Sequence, residues 1–437
     1  MISTEADFHL FDGGEVGPHL LLADGSQVFG VDAAFAEALR VAEPDVARAM
    51  LGEVGLGGRN FIDAAPPEDP PMRALSLSVA QRCNLGCTYC YAEGGDFGKP
   101  PRDMEWPTAD AAIRRLIGGV DSGERVNLAF LGGEPLSNIV LIRRATELAA
   151  ELAAAKRVRI GFAITTNGTL LGDTEGDFLA RFGFSVTISL DGVGPVHDQL
   201  RPAKGGRGSF DRIRARVIAL RKRHPRLPIA ARVTVTPRNL ELRETLDCLL
   251  ELGFDSVGFS PMLHAPSGRD EMQEMDLNCL LQAMIECGEE YERRAAAGER
   301  YGFSNLETAL QEIHRGTHRP YPCGAGAGYF GVSATGELAA CHRFVGDADH
   351  TMGSVGAGVD LASQRAWLDE RRVDRQEPCR SCWARYLCGG GCHYEAIHRG
   401  RPACDYIRGW LDYALGAYVR LSVRRPELFR TVDAKAA

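Results

Sequence analysis

The chain has 437 residues, of which 45% are hydrophobic and 25% are charged, with a formal net charge of −8. One hydrophobic core rarely spans this length, so we expect two or three domains. The acidic balance argues against nucleic-acid binding, which needs a basic face, and no hydrophobic run reaches membrane-spanning length, so no membrane partner is expected. The first seven residues lack the hydrophobic core of a signal peptide, which predicts a cytoplasmic location. Thirteen cysteines in such a reducing compartment favour metal binding over disulfides.

The N-terminal part of the chain predicts a small α+β module. Residues 8–30 predict two or three short strands joined by tight turns, and residues 32–50 carry hydrophobic residues at helical spacing. We therefore expect a module over residues 1–62, followed by a Pro-rich linker over residues 63–73. Such a module can present a sheet edge to a leader peptide or can act only as a structural cap, and the sequence leaves both interpretations open.

Strands and helices alternate through the middle of the chain, from residue 74 to residue 305. The predicted strands are 75–79, 125–131, 157–165, 185–190, 229–235 and 256–261. Six strand–helix units predict an α/β fold, a partial (β/α)6 TIM-like barrel with its chemistry at the carboxyl ends of the strands. The two further units of a closed barrel are not found, and residues 306–437 are expected to form a Cys-rich C-terminal domain.

Three cysteines follow the first predicted barrel strand, in the stretch Cys83-Asn84-Leu85-Gly86-Cys87-Thr88-Tyr89-Cys90. Three thiolates at this spacing can hold three irons of a cubic cluster and leave the fourth iron open. The alternatives are a zinc site, whose motifs use paired ligands, and a disulfide, which needs an oxidising compartment. The spacing resembles the cluster loop of the radical S-adenosylmethionine (radical SAM) superfamily. That resemblance implies a catalytic [4Fe-4S] cluster on Cys83, Cys87 and Cys90, with S-adenosyl-L-methionine (SAM) chelating the open iron.

The same resemblance implies SAM contacts at the ends of the following strands. The Gly132-Gly133-Glu134-Pro135 segment corresponds to the one that holds the methionine amino group. Ser189 and Asp191 would lie near the ribose and the methionine, and Arg201 could pair with the methionine carboxylate, although a plain salt bridge is its alternative role. The implied SAM-binding set is Tyr89, Gly132, Gly133, Glu134, Asn167, Ser189, Asp191 and Arg201.

Seven further cysteines lie in the C-terminal part, whereas Cys248, Cys279 and Cys287 fall in helical patterns and are expected to be buried thiols. The seven resemble, cysteine for cysteine, the SPASM extension of radical SAM enzymes that modify peptides and proteins. A zinc ribbon is the alternative for the run from 379 to 392. The resemblance implies two auxiliary [4Fe-4S] clusters, and thus three in all. The distal cluster would use Cys379, Cys382, Cys388 and Cys404, and the proximal one Cys323, Cys341 and Cys392.

Three ligands leave a vacancy on the proximal cluster. His314 or His318 could fill it, or a substrate cysteine thiolate could bind there, because a Lewis-acidic iron lowers the pKa of a thiol. His342 follows Cys341 at a position where sulfatase-maturing relatives carry an acidic base. The pattern is therefore closer to maturases that form thioether crosslinks, such as the ranthipeptide maturases and the quinohemoprotein amine dehydrogenase maturation proteins.

The resemblance implies an enzyme that cleaves SAM to a 5'-deoxyadenosyl radical and installs a Cys thioether in its substrate. The implied partners are a ribosomally made precursor peptide or small protein subunit, whose leader segment docks on residues 1–62, and an electron donor of the flavodoxin or ferredoxin type. One alternative is a radical SAM maturase that makes a carbon–carbon or carbon–oxygen crosslink or epimerises a residue. The other is a non-catalytic iron–sulfur scaffold or electron carrier.

Overall fold

The computed structural model describes residues 7–56 and 66–430, so the ends of the predicted N- and C-terminal domains and the first part of the predicted linker lie outside the described residues. The strands are β1 (Phe8–Asp12), β2 (Pro18–Leu22), β3 (Gln27–Gly30), β4 (Ala74–Gln81), β5 (Arg102–Asp103), β6 (Arg125–Gly132), β7 (Arg159–Thr166), β8 (Ser185–Ser189), β9 (Ile229–Val235), β10 (Ser256–Pro261), β11 (Tyr329–Val332), β12 (Glu337–Ala339), β13 (Thr351–Ser354) and β14 (Gly358–Val359). The helices are α1 (Ala33–Val41), α2 (Pro44–Glu53), α3 (Trp106–Gly118), α4 (Ile139–Lys156), α5 (Asp173–Arg181), α6 (Pro195–Leu200), α7 (Phe210–Arg223), α8 (Leu242–Glu251), α9 (Glu274–Ala296), α10 (Ser304–His314), α11 (Leu361–Arg371), α12 (Arg385–Cys388), α13 (His393–Arg399), α14 (Cys404–Arg424) and α15 (Glu427–Arg430). Each of these helices is too short or too polar to pass through a lipid bilayer.

The N-terminal residues form an antiparallel sheet in the order β1-β2-β3, with α1 and α2 packed against it around Leu20 and Leu39. The sequence predicts one helix over residues 32–50, but the structure has two. Ala42 and Glu43 are extended, and α2 begins at Pro44. Proline disfavours a helical residue before it and suits the first position of a new helix, which explains the break.

The six predicted barrel strands are all present, as β4, β6, β7, β8, β9 and β10. They pair in parallel in the order β10-β9-β8-β7-β6-β4, which confirms the partial barrel, and β10 is one end of the strand order. The sequence missed a seventh parallel strand, β11, which pairs with the other edge of β4. The C-terminal strands β11–β14 therefore continue the sheet of the barrel.

The strands β6–β10 alternate between buried side chains, which face the helices, and accessible ones, which face the open lumen of the barrel. On β9, for example, Ala231 and Val233 are buried, whereas Arg232 and Thr234 are accessible. This alternation is the ordinary consequence of the two-residue period of a strand. It leaves solvent-accessible side chains on the inner face of the barrel, and the predicted site residues lie at the carboxyl ends of its strands.

The C-terminal region joins the N-terminal sheet to the barrel. Helix α14 packs against α9, α10 and β1. His9 of β1 stacks on Trp383, with ring centroids 3.8 Å apart, and its Nε2 lies 2.6 Å from Asp412 of α14. The N-terminal sheet is therefore docked on the Cys-rich region.

Candidate active site

The three cysteines of the first motif lie in one loop at the carboxyl end of β4. Backbone hydrogen bonds fix this loop to the segment after α6, with Gly86 N donating to Pro202 O at 2.8 Å and Thr88 N donating to Leu200 O at 3.1 Å. Asn167 Nδ2 lies 3.7 Å from Cys83 Sγ and so joins the end of β7 to the loop. The loop is thus held on both sides by the barrel.

Burial raises the pKa of the Cys87 thiol to about 12, and burial also raises the pKa of Cys83. A thiol in such surroundings is protonated at neutral pH unless a positive centre stabilises its thiolate. Iron ligation supplies that stabilisation, because metal binding deprotonates its cysteine ligands. The chemistry of this donor set therefore fits a cluster.

The glycine pair after β6 packs directly against the cysteine loop. Gly133 N donates to Ala80 O at 2.8 Å, and Glu134 N donates to Arg82 O at 2.9 Å. A Cβ on Gly133 would fall on the Arg82 carbonyl oxygen and lie 2.8 Å from Gly95 Cα, a separation that real Cβ atoms do not show. Glycine is required here so that the two backbones can approach.

The Glu134 side chain is fully buried beneath the loop. Its carboxylate accepts hydrogen bonds from Thr166 Oγ1 at 2.6 Å, Asn167 N at 2.7 Å and Leu136 N at 3.0 Å. Burial raises the pKa of this carboxyl group even though these donors oppose the shift. The carboxylate has acceptor capacity left, so the expected contact with the methionine amino group stays a prediction.

Asp191, Tyr89 and Arg201 form a buried network next to the cysteine loop. Tyr89 hydrogen-bonds to Asp191 Oδ2, Arg201 Nη1 donates to Tyr89 Oη at 2.8 Å, and Thr234 N donates to Asp191 Oδ1 at 2.7 Å. Burial raises the pKa of Asp191 despite the Arg201 charge. Burial also acts to lower the pKa of Arg201, but the charges of Cys87 and Asp191 outweigh it and raise that pKa.

One donor of this network has no partner. The buried Nε of Arg201 makes no hydrogen bond within the described residues. An unpaired guanidinium donor beside the cluster cysteines is costly unless a ligand accepts from it. It fits a carboxylate such as that of the SAM methionine moiety. Ser189 ends β8 and faces the lumen beside this network, next to Arg232 of β9.

The resemblance divides the seven C-terminal cysteines into a distal and a proximal group, and this division stays a prediction. In the distal group burial raises the pKa of Cys379, Cys388 and Cys404, and the charges of neighbouring thiolates add to the rise. Together with Cys392, the group lines a cavity of about 190 Å³. Its members are Cys379, Cys382, Cys388 and Cys404. Electrostatic interactions likewise join Cys323, Cys341 and Cys392. No three His, Cys, Asp or Glu side chains in residues 7–56 and 66–430 converge closely enough to share a single metal ion.

A run of glycines separates Cys388 from Cys392. Gly389, Gly390 and Gly391 have φ angles of +70°, +94° and +78°, which disfavour residues with a side chain. A Cβ on Gly389 would lie 2.5 Å from Pro322 N, just before Cys323. These glycines turn the chain between Cys388 and Cys392, but Cys392 still lines the cavity of the distal group, so its assignment to the proximal group stays a prediction.

The proximal group lies beside the lumen. Cys323 and Cys392 are exposed, whereas Cys341 is buried and its pKa is raised to about 12 by that burial. His342 Nδ1 lies 2.8 Å from Tyr329 Oη, which is 2.8 Å from Ser76 Oγ of β4. Burial lowers the pKa of His342 to about 4, so its imidazole is neutral.

The two histidines considered as a fourth proximal ligand have other partners. His314 Nδ1 lies 3.2 Å from Tyr418 Oη, and His318 stacks on Tyr386 and accepts a hydrogen bond from Gly25 N at 2.8 Å. Of the three remaining cysteines only Cys287 is buried, so the expectation was wrong for the exposed Cys279 and the half-buried Cys248. The sequence reasoning also missed Arg232, which the alternation of β9 places in the lumen, and Tyr329, which depends on the unpredicted strand β11.

Comparison with known proteins agrees with this architecture. Residues 77–249 match the radical SAM superfamily. The serine-type anaerobic sulfatase-maturating enzyme of Klebsiella aerogenes is 27% identical over 379 residues, which are 83% of this chain and 90% of that protein.

Two solved structures share the fold. Native anSMEcpe with bound AdoMet and Kp18Cys peptide has a TM-score of 0.66 at 19% identity, over 84% of this chain and 100% of that one. Streptococcus suis SuiB has a TM-score of 0.52 at 17% identity, over 92% of this chain and 98% of that one. With the cysteine loop, the glycine pair and the Asp191 network in place, residues 77–249 form a radical SAM domain, and a Cys-rich region follows it in the C-terminal part of the chain.

Proposed function

We propose that this enzyme modifies a ribosomally made peptide or small protein by joining a cysteine sulfur to a carbon atom as a thioether. The observation that carries the proposal is the proximal cysteine group, which has three thiols where the distal group has four and whose exposed members lie beside the lumen. Relatives named as sulfatase-maturating enzymes, and a similar structure that holds AdoMet and a peptide, support a peptide substrate.

In this proposal Cys83, Cys87 and Cys90 hold the catalytic cluster, which together with SAM supplies hydrogen-atom abstraction from carbon. The glycine pair brings the backbone of the GGEP segment against the cluster loop, and the free Nε of Arg201 orients the methionine carboxylate. Asp191 and Tyr89 keep Arg201 in position.

The substrate thiol binds at the open position of the proximal group. Forming the carbon–sulfur bond removes a hydrogen atom from carbon, and a proton and an electron from sulfur. The deoxyadenosyl part of SAM would take the hydrogen atom, solvent would take the proton, and a cluster held by Cys323, Cys341 and Cys392 would supply the acceptor for the electron. Two auxiliary clusters, held by Cys323, Cys341 and Cys392 and by Cys379, Cys382, Cys388 and Cys404, bring the total to three.

The experiment uses anaerobically reconstituted protein, reductant, SAM and Cys-containing peptides encoded near this gene. We expect 5'-deoxyadenosine and a peptide that has lost two hydrogens and no longer reacts with a thiol-alkylating reagent. Cys83→Ala should form neither product, whereas Cys279→Ala, at an exposed helical cysteine, should behave as the native enzyme does. A modified peptide that still carries a free thiol would contradict the thioether.

The substrate thiol at the proximal group has its own test. Adding a competent Cys-containing peptide should change the sulfur ligation seen by X-ray absorption or electron paramagnetic resonance. The matching Ser-containing peptide should cause no change. An unaltered spectrum with a competent Cys-containing peptide would contradict thiol binding at this position.

Sulfatase-type oxidation of a Cys or Ser side chain to an aldehyde is the second candidate function. The similarity to sulfatase-maturating enzymes over 83% of the chain favours it. The neutral His342 after Cys341, where those enzymes are expected to carry an acidic base, speaks against it. A hydrazide reagent separates the two functions, because it captures an aldehyde and does not react with a thioether.

The remaining partners belong to the same proposal. Strand β3 is an edge of the N-terminal sheet and can pair with an extended leader segment, so residues 1–62 are proposed as the leader-binding domain. Residues 63–73 would then link it to the barrel of residues 74–305 and the SPASM domain of residues 306–437. A flavodoxin or ferredoxin would supply the electron in the cytoplasm, where the thirteen free thiols would stay reduced.

A further inference from the structure

The lumen of the barrel is lined mostly by small side chains, and Arg232 is an exception. The accessible positions along the barrel strands include Leu131 and the smaller residues Ala129, Ala163, Thr165, Thr187, Ser189, Ala230, Thr234, Gly258 and Ser260. Arg232 extends from β9 among them. Its guanidinium is reached by solvent through the lumen, yet the surrounding protein lowers its pKa through desolvation. A long cationic side chain therefore projects into a space that is otherwise left open.

Arg232 keeps most of its hydrogen-bonding capacity free. Its Nη2 donates to Ser260 Oγ, which is its one hydrogen bond within the described residues, and no carboxylate there lies within 4 Å of it. The nearest anions have other partners. Asp191 binds Tyr89, Arg201 and Thr234 N, and Glu395 lies 2.7 Å from Arg343. A guanidinium carries five N–H donors, so Arg232 presents an unsatisfied fork to the lumen.

A second cation strengthens this positive site. Arg343 stacks on Tyr394, with its guanidinium carbon 4.3 Å from the ring centroid, and its buried Nε has no partner within the described residues. Desolvation lowers the pKa of Arg232, and the charge of Arg343 adds to this effect while that of Glu395 opposes it. Arg343 Nη1 lies 3.7 Å from Cys392 Sγ. Arg343 is therefore next to the proximal cysteine group.

Arg232 lies where a bound peptide substrate would contact it. It is paired in the sheet with Ser189, which belongs to the expected SAM site, and Arg343, whose Nη1 lies 3.7 Å from Cys392 Sγ, is among the charged groups that affect it. A peptide that presents one atom to the radical and a thiol to the proximal group must cross this space. It displaces the water that now solvates Arg232, and a desolvated, unpaired guanidinium is strongly unfavourable.

We propose that Arg232 recognises a carboxylate on the substrate peptide, either an Asp or Glu side chain or the C-terminus, through the fork that it presents to the lumen between the SAM site and the proximal cysteine group. The inference rests on the proposed function, because it takes a peptide as the occupant of the lumen. It assigns to Arg232 a recognition role that neither cluster chemistry nor SAM binding requires.

The experiment measures retention of a peptide pool on immobilised, anaerobically reconstituted, SAM-loaded protein. Each peptide has one Cys and is made with Asp or Asn at a central position and with a free or amidated C-terminus. We expect members with a carboxylate to be retained about 10-fold or more over their uncharged twins, as for a hydrogen bond between charged groups. Arg232→Gln should abolish this preference, and Arg232→Lys should keep part of it. Arg226→Gln, at an exposed position before β9, should leave it intact.

Comparing the Asp/Asn pairs with the acid/amide pairs identifies which carboxylate is bound. Equal retention of charged and uncharged twins by the native protein, or a preference that survives in Arg232→Gln, overturns the inference. A loss of SAM affinity in Arg232→Gln at unchanged iron content and melting temperature would instead assign Arg232 to the SAM site and also overturns it.

Peptide retention does not require turnover, so the proposed function and the role of Arg232 can be contradicted independently. A preference for carboxylate peptides without any modified peptide contradicts the proposed function alone. Equal modification of peptides with and without a carboxylate contradicts the role of Arg232 alone.

Discussion

Replacing Arg201 tests whether its free donor holds SAM. Arg201 Nη1 lies 2.8 Å from Tyr89 Oη and 3.3 Å from Asp191 Oδ2, whereas its buried Nε has no partner within the described residues. Lysine keeps the positive charge beside Asp191 but has no equivalent of Nε. A hydrogen bond between charged groups contributes about 1.5–3 kcal/mol, so Arg201→Lys should raise the Kd for SAM about 10- to 140-fold.

Isothermal titration of SAM into anaerobically reconstituted protein measures this change, with iron content and Tm recorded for each variant. Arg207→Lys is the matched control, because Arg207 is exposed on the neighbouring loop. Arg201→Gln should in addition destabilise the fold by about 3–5 kcal/mol, since it leaves the buried Asp191 without its cation. An unchanged Kd for Arg201→Lys at full iron content would refute the carboxylate contact.

Three further predictions concern the cysteine loop, the distal group and the N-terminal sheet. Gly133→Ala should abolish iron binding by the cysteine loop, because its Cβ would fall on a backbone oxygen. Gly118→Ala, whose Cβ meets no atom within 4 Å, is the control and should bind iron normally. Equal iron content in the two variants would contradict this prediction. Cys404→Ala should remove about four of about twelve irons, measured by a colorimetric iron assay, and loss of none would exclude Cys404 as a ligand. Burial lowers the pKa of His318 from 6.5 to about 4, so protons favour the unfolded chain below pH 6.5. The stability that neutral His318 confers is complete above pH 6.5 and is lost as the pH falls through 4. Hydrogen exchange at the Gly25 amide, which donates to His318, should follow that loss, and His318→Gln should remove the pH dependence. The same exchange profile in both proteins would contradict this prediction.

The sequence predicts the barrel well because its signals are local. Hydrophobic alternation and helical spacing locate all six parallel strands, from β4 to β10, within two residues. Pro44 shows the limit of the same reasoning, since the helical spacing continues across a residue that starts a new helix. Strand β11 could not be found, because its four residues acquire meaning only when they pair with β4, some 250 positions earlier in the chain.

The candidate site likewise has some features that the local sequence predicts and others that it does not. The spacing of Cys83, Cys87 and Cys90 is a property of one loop, so it can be read from the sequence. The spacing from Cys379 to Cys392 taken alone suggests one four-thiol site, and only the resemblance assigns Cys404 in place of Cys392. Three consecutive glycines at positive φ turn the chain between Cys388 and Cys392. Glycine permits such a turn but does not specify its direction, so local spacing alone does not assign Cys392 to either group.

Strand β11 also connects the two cysteine-containing regions through a single sheet. Its parallel pairing with β4 places Tyr329 beside Ala74, and the Tyr329 hydroxyl bridges Ser76 of β4 and His342. Cys341 directly precedes His342, so the proximal group is held at the wall of the barrel by the strand that also carries the first cysteine loop. A C-terminal domain joined only by a flexible linker would let this separation vary. Continuity of the sheet fixes it, and under the proposed function a substrate that spans the lumen would therefore meet the proposed SAM site, Arg232 and the proximal group in a single bound position.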